Sequence, residues 1–493
     1  MGFGGPAVYD SRLADATREH LSSNLTISPT NLDAPFASRE ELEARLASEY
    51  GAHLSILDQR LDEALRATGF DGAVIFAGNE RMIFRDDQTY PFRVEPYFKA
   101  WVPLIQAPGS FLRLVPGQKP MLVYKQVDDY WHEPPSDPEG YWTQHFDIRI
   151  ARTDAEARKL SGSSARWVAV GSGAERAMQR GGGAAQPAVN DARFLNHLDF
   201  TRAVKTTYER LCMRGAQAAG VRGHLAVAAA FKSGVTELEL HNAYLAASGQ
   251  RETELPYPNI IALNEHAATL HFTRLRAEAP PVTRSLLIDA GAEFNGYAAD
   301  ITRTYSASES DDFAALIASM DALQQRVCAE VKPGADFIVL HAFANRQLTT
   351  VLSEHRIITC SADEAVASGI TRAFLPHGLG HLLGLQVHDA GGRLADRTGR
   401  KREPPPLAPY LRLTRTLEPG VVTTIEPGIY FIPSLLKPLL AKHEDKLNRG
   451  MIERLLPFGG IRIEDNVEVT ADGHRNLTRE AFAAVPRASN RPS

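Results

Sequence analysis

Cysteine is nearly absent: Cys212, Cys328 and Cys360 are the only three in 493 residues, and none lies in a C-x-x-C pair. That excludes a disulfide framework and fits a reducing compartment. A surplus of positive charge is also missing. Lys plus Arg is 54 against 59 for Asp plus Glu, a formal net charge of −5. A dedicated nucleic-acid binder, which needs a basic excess for the phosphates, is therefore not expected. No run approaches the ~20 apolar residues of a membrane span, and the alanine-rich stretch from Ala226 to Phe231 reads as a helix interior. The opening residues lack the basic start and apolar block of a secretory signal. The expectation is a cytoplasmic protein with neither nucleic acid nor membrane as partner. Against these absences stand 44% hydrophobic and 23% charged residues, ample for a core, in a length that suits two or three domains.

Residues 1–45 read as a poorly ordered N-terminal extension, polar and without sustained periodicity over the first 37 or so. Ser38 to Glu41 has the form of a capping box. Leu42, Leu46, Leu54, Leu57, Leu61 and Leu65 follow at helical spacing and predict a long amphipathic helix. Residues 73–76, 121–124 and 167–170 read as strands, so 46–200 is expected to form an α/β domain. The stretch from Asn190 to Arg202 is polar and ambiguous. A helix begins near Tyr208, and 201–493 forms the second domain, helical first and strand-rich later. Gly171-Ser172-Gly173 begins like a dinucleotide fingerprint, but Arg176 stands where the third glycine is needed, so nucleotide binding is set aside. The glycosylation patterns at Asn24 and Asn476 lack a secretory context.

Chemistry concentrates in the second domain. An apolar run, Leu286-Leu287-Ile288, delivers Asp289 at a strand end, and Asn295-Gly296 then signals a hairpin turn. A two-residue turn there sets Asp289 opposite Thr302, with Asp300 diagonal to Asp289 on the same face. Two acids so placed need a cation or a raised pKa. Three histidines, His377, His381 and His388, fall within twelve residues, with Gly378 and Gly380 between the first two. Glu426 ends a β-branched run, and Glu464 does the same after Arg462, which shares its face. Four carboxylates with a histidine form a hard donor set that suits Mn²⁺, and their charge fits two ions.

The segments Ile288-Asp289-Ala290-Gly291, Asp300-Ile301-Thr302-Arg303, His377-Gly378-Leu379-Gly380-His381, Glu426-Pro427-Gly428 and Arg462-Ile463-Glu464-Asp465-Asn466 resemble the pita-bread metallopeptidases. HGLGHLLGLQVHDAGG, FNGYAADITRTY, PFGGIRIEDN and YPFRVEPYFKAW are most similar to the bacterial prolidases (Xaa-Pro dipeptidases) and the organophosphorus acid anhydrolases among them. The resemblance runs from about residue 55 to 485. It implies an α/β N-terminal domain followed by an α+β pita-bread catalytic domain. Asp289, Asp300, His381, Glu426 and Glu464 would hold two divalent ions, usually Mn²⁺, with Asp300 and Glu464 bridging. His271 and His388 would contact substrate, His377, Tyr257 and Arg462 would belong to the pocket, and Arg412 would grip the dipeptide carboxylate. A homodimer is implied, with Asp86, Asp87 or Trp131 near the partner's site.

The resemblance further implies hydrolysis of Xaa-Pro dipeptides by a metal-bridging hydroxide, Glu426 moving the proton and His271 with His388 stabilising the oxyanion. Organophosphate hydrolysis would be a side activity. Four bland roles stand beside these: His271 as a core histidine between strands, Arg462 as a neutralising partner of Glu464, Arg415 in place of Arg412, and Tyr257, between two prolines, as a rigid loop anchor. Two other functions remain: an aminopeptidase P acting on longer Xaa-Pro peptides, and a non-catalytic pita-bread binding module. Arg412 and the spacing from Glu426 to Glu464 favour the dipeptidase.

Overall fold

The computed structural model describes residues 39–127, 130–131, 133–162, 164–174 and 187–485. Helix α1 (Arg39–Thr68) carries the expected leucine stripe, with Leu42, Leu46, Leu54, Leu61 and Leu65 buried. Spacings of three, four and seven residues put such side chains on one face. Residues 39–45 form its first turns, and Ser38 of the capping box lies outside the described residues.

Next come β1 (Gly72–Phe76), β2 (Phe111–Leu114), β3 (Met121–Lys125), β4 (Asp147–Ala151), β5 (Trp167–Val170) and β6 (Ala188–Val189). They form one mixed sheet in the order β4-β3-β2-β1-β5-β6. Every residue of β1 is buried, as in a strand covered on both faces. The ambiguous segment after this sheet is a helix. Asp191 caps α2 (Ala192–Arg202) by accepting from the backbone N–H of Arg193 and Phe194. Only Phe194 and Arg202 of α2 are buried, so no apolar stripe marked it. Helix α3 (Thr207–Ala230) opens on a capping box between Thr206 and Glu209, and the alanine-rich run ends it.

Helix α1 crosses the boundary between the two halves. His53 Nδ1 lies 2.8 Å from Thr206 Oγ1, and Arg60 donates to the Val204 carbonyl at 2.8 Å. One apolar core, including Tyr50, Phe98, Tyr208, Met213 and Leu385, spans both halves. The N-terminal sheet is thereby fixed against the later half.

That half contains β7 (Ile260–Leu263), β8 (Ser285–Asp289), β9 (Glu293–Phe294), β10 (Tyr297–Ala298) and β11 (Thr302–Ser306). The hairpin from β8 to β11 turns at Asn295 and Gly296, whose φ values of 48° and 85° match the type I′ geometry that this pair favours. Thr302 faces Asp289, as the turn predicted. Farther on are β12 (Val422–Ile425), β13 (Gly428–Tyr430), β14 (Gly460–Arg462), β15 (Asp465–Val469) and β16 (His474–Asn476). Strand β14 pairs with β13, whereas β15 pairs with β12. The chain changes partner at Ile463-Glu464, where a Thr302–Glu464 bridge ties it to β11. Asn476 caps the last helix, α4 (Leu477–Ala484), by accepting from Arg479 N. Among the described residues no helix is long and apolar enough to cross a membrane.

Candidate metal centre and substrate pocket

Strand ends bring the chemistry together. Asp289 closes β8, Asp300 precedes β11, Glu426 follows β12 and Glu464 marks the switch from β14 to β15. His381 sits beside β12, its backbone tied to Thr424. Gly380 is needed for that approach, because a Cβ there would stand 2.0 Å from the Thr424 carbonyl oxygen. Asp289, Asp300, His381 and Glu464 are buried, and Glu426 is partly so.

Donor atoms of Asp300, His381 and Glu464 all lie within 4.8 Å of one another. His381 Nε2 is 3.4 Å from Asp300 Oδ2 and 3.8 Å from Glu426 Oε1. Its Nδ1 lies 3.0 Å from the Leu382 carbonyl. A carbonyl only accepts, so Nδ1 donates and Nε2 is the nitrogen turned to the acids. The other side is braced through Asp289. Arg462 Nη2 donates to Asp289 Oδ2 at 2.6 Å, and the Tyr257 hydroxyl lies 2.8 Å from Asp289 Oδ1 and 2.6 Å from Asp300 Oδ1.

The electrostatics show what this cluster lacks. Burial, then the charges of Asp300, Glu426 and Asp289, push Glu464 well above the usual carboxylate range. Burial raises Asp289 despite Arg462, and raises Glu426 to about 7 despite His381. Asp300 alone goes down: burial opposes its charge, but the bond to His381 and that ring's charge outweigh it. Among the described residues, Arg462, His377 and His381 are the basic groups within 4 Å of these four acids. A buried set of four carboxylates and one correctly turned imidazole, short of positive charge, fits hard divalent cations.

His388 is exposed, and its ring centroid lies 4.5 Å from that of His381, edge to face. Desolvation, with the neighbouring His381 and Arg412 charges, lowers its pKa to about 4, so the ring is neutral at physiological pH. His271 is exposed in a turn after residues 264–268, which removes its reading as a core histidine between strands. Arg415 is buried, stacks over Phe200 at 4.0 Å and pairs with Glu418 at 3.1 Å. It is committed to the fold, whereas Arg412 is exposed. A cleft of about 510 Å³ opens between the two halves, with Tyr257, Val387 and His388 on one wall and Phe92 and Lys99 on the other.

Two residues read as pocket members are held by the protein around them. His377 has Nδ1 at 2.8 Å from the Gly378 carbonyl and Nε2 at 2.8 Å from the Tyr430 hydroxyl. Arg462 Nη1 donates to that same hydroxyl at 2.8 Å and Nε to Thr302 Oγ1 at 3.3 Å. Both side chains are engaged with the protein, and the carboxylate that Arg462 pairs with is Asp289, not Glu464. Three supports escaped the sequence reading. Tyr430 links His377 to Arg462, Thr302 donates to Glu464 Oε2 at 2.7 Å, and Asn466 Oδ1 accepts from Asp300 N at 2.9 Å. Thr302 and Asn466 each stand two residues past a candidate ligand, the one signal available; Tyr430 had none beyond following Glu-Pro-Gly.

Residues 48–200 match the family described as Xaa-Pro dipeptidase, N-terminal domain, and residues 211–471 match Metallopeptidase family M24. A protein of Stenotrophomonas maltophilia (strain R551-3), named Xaa-Pro dipeptidase, is 48% identical over 437 residues, covering 88% of this chain and 98% of that protein. One of Xanthomonas campestris pv. campestris (strain B100), with the same name, is 48% identical over 436 residues, with the same coverage. Among solved structures, proline aminopeptidase P II from Yersinia pestis aligns with TM-score 0.66 at 23% identity, over 89% of this chain and 99% of that one. Zn-substituted aminopeptidase P of E. coli in complex with product gives TM-score 0.66 at 22% identity, over 89% and 98%. Fold and site together define a metallopeptidase with an α/β N-terminal domain and an α+β pita-bread catalytic domain. The chain belongs to metallopeptidase family M24, which implies divalent metal.

Proposed function

We propose that this protein is a Xaa-Pro dipeptidase with two divalent ions, most consistent with Mn²⁺, held by Asp289, Asp300, His381, Glu426 and Glu464. The observation that carries the reading is this buried, cation-poor carboxylate set, open towards His388. The relatives named Xaa-Pro dipeptidase support the substrate class. Four acids exceed the need of one ion, and oxygen donors favour Mn²⁺ over softer metals. Bound divalent ions supply Lewis acidity and lower the pKa of water.

The rest falls to the chain's own residues. Glu426, at the edge of the carboxylate set, takes and returns the proton. His388 and His271 direct N–H donors at the oxygen that gains charge. Arg412 receives the carboxylate of the C-terminal proline, and Tyr257 keeps Asp289 and Asp300 in place. Proline lacks an N–H, so a site that measures a dipeptide by its two charged ends suits it better than one that pairs with extended backbone. We assign residues 46–200 to the N-terminal domain and 201–493 to the catalytic domain. A homodimer is supported by Phe84, Tyr130 and Trp131, which are 87%, 87% and 75% exposed and offer apolar area for a second copy. Three free cysteines support a reducing, cytoplasmic setting.

An aminopeptidase P is the second reading, favoured by the folds that align with this one. Proline release from Leu-Pro and from Leu-Pro-Pro, with added Mn²⁺ and after chelation, separates the two. The dipeptidase cleaves Leu-Pro in a metal-dependent way and leaves the tripeptide nearly intact. Comparable tripeptide cleavage would replace it with the aminopeptidase. Failure on both substrates, with no metal bound, would leave the binding module. A phosphotriester assay on the same preparation checks organophosphate hydrolysis.

A further inference from the structure

The loop that carries His388 is clamped from behind by the segment that joins the two domains. Asp389, the next residue, is 8% exposed. Its Oδ1 accepts from Arg202 Nη2, a nitrogen that also lies 3.3 Å from Gln386 Oε1. Its Oδ2 accepts from Lys205 Nζ at 2.9 Å, and the two side chains are each 1% exposed. Lys205 also donates to the Arg202 carbonyl at 2.7 Å. The fit is close: a Cβ on Gly384 would stand 2.6 Å from both Asp389 Oδ2 and Lys205 Cε. The backbone is anchored too, with Asp389 N donating to the Leu382 carbonyl at 2.9 Å, one residue past His381.

His388 is therefore held between two fixed points, with its ring against His381. Arg202 continues into the N-terminal domain, its guanidinium over the Tyr97 ring at 5.4 Å, while the Tyr97 hydroxyl donates to Asp199 at 2.7 Å. A clasp that served only to join domains could be apolar, because burying two cations and an acid carries a large desolvation cost. What it adds is direction. It grips the loop at Gln386 and Asp389, on either side of the exposed histidine, and a catalytic donor must be held to within about 0.5 Å.

We propose that Asp389 is a positioning residue, and that Arg202 and Lys205 form the clasp through which the interdomain segment sets His388 towards the reacting carbonyl. The inference rests on the dipeptidase reading. Its test is a double-mutant cycle of Asp389→Asn and His388→Ala in the full-length, Mn²⁺-loaded enzyme on Leu-Pro, with bound metal and thermal melting measured alongside. Asp389→Asn should lower kcat about 10- to 100-fold, as loss of an orienting partner does, with KM within about threefold and metal retained. In the His388→Ala background the same change should cost no more than about twofold, because the two act as one unit. Lys205→Arg should keep most of kcat and Lys205→Met should lose it. Additive effects, or a folded Asp389→Asn enzyme with kcat within about twofold of the unaltered one, would overturn the proposal. Should Asp389→Asn fail to fold, the Lys205 pair decides: equal kcat for Lys205→Arg and Lys205→Met overturns it. Inactivity of the unaltered enzyme on Leu-Pro would count against the dipeptidase reading instead. The clasp is then judged by a crystal structure of Lys205→Met: a displaced His388 ring supports it and an unmoved one overturns it.

Discussion

Glu464 and Asp465 are neighbours in one chain, equally buried at 2% and 0% exposure, yet their surroundings are opposite. Successive residues of an extended segment face opposite sides. Asp465 turns to Arg303 Nη2 and Arg479 Nε, each at 2.7 Å. Burial opposes its charge, but these guanidiniums hold its pKa at about 2. Glu464 turns to Asp300, Glu426 and Asp289, and burial together with their charges drives its pKa up. The chain can neutralise a buried acid, and on one side of the strand it does. On the other it leaves the acids short of cations, a deficit that bound divalent ions would fill.

The largest test of this contrast is Glu464→Gln. Loss of a ligand should remove bound metal and lower kcat/KM by more than the ~100-fold typical of an outer-shell partner. Full activity with normal metal content would take Glu464 out of the centre. Asp465→Asn probes the other face. It removes the carboxylate charge facing buried Arg303 and half-buried Arg479 and should destabilise the protein by about 3–5 kcal/mol, the range for breaking a buried pair, read as a lower denaturation midpoint. Retained metal binding in the folded variant would keep the two faces distinct.

The smallest effect is in pH. In the metal-free protein Glu426 titrates near 7, against about 4.3 for an unfolded chain. Between those values the native state binds more protons, so stability falls as pH rises, by at most about 1.4 kcal/mol per pH unit for this group. Asp465 has the reverse sign. Its stabilisation is full above the unfolded value of about 3.9 and is lost as pH falls towards about 2. Melts with chelator should show both slopes, and saturating Mn²⁺ should flatten only the first. An unchanged slope between pH 5 and 7 would separate Glu426 from the metal.

Much of this was legible in the chain. The leucine stripe of α1, the strand before Asp289 and the Asn295-Gly296 turn each follow from residues a few positions apart, and the turn alone set Thr302 against Asp289. Helix α2 was not legible, because it buries only Phe194 and Arg202 and carries no periodic face. Strand alternation put Arg462 beside Glu464, but the partner change at Ile463-Glu464 sent the guanidinium to Asp289 instead. No local pattern announced that Tyr430 would hold the His377 ring through Nε2.

Composition, turn chemistry and the periodicity of apolar residues act through near neighbours, and they suffice for the leucine-striped helix, the strands that deliver the acids and the hairpin register. Which acid receives an arginine depends on residues far apart along the chain. Arg462 reaches Asp289 across 173 positions, Arg303 reaches Asp465 across 162, and Arg202 reaches Asp389 across 187. Only the packed structure decides such pairings, because a buried charge is settled by whatever the fold places within a few ångströms of it.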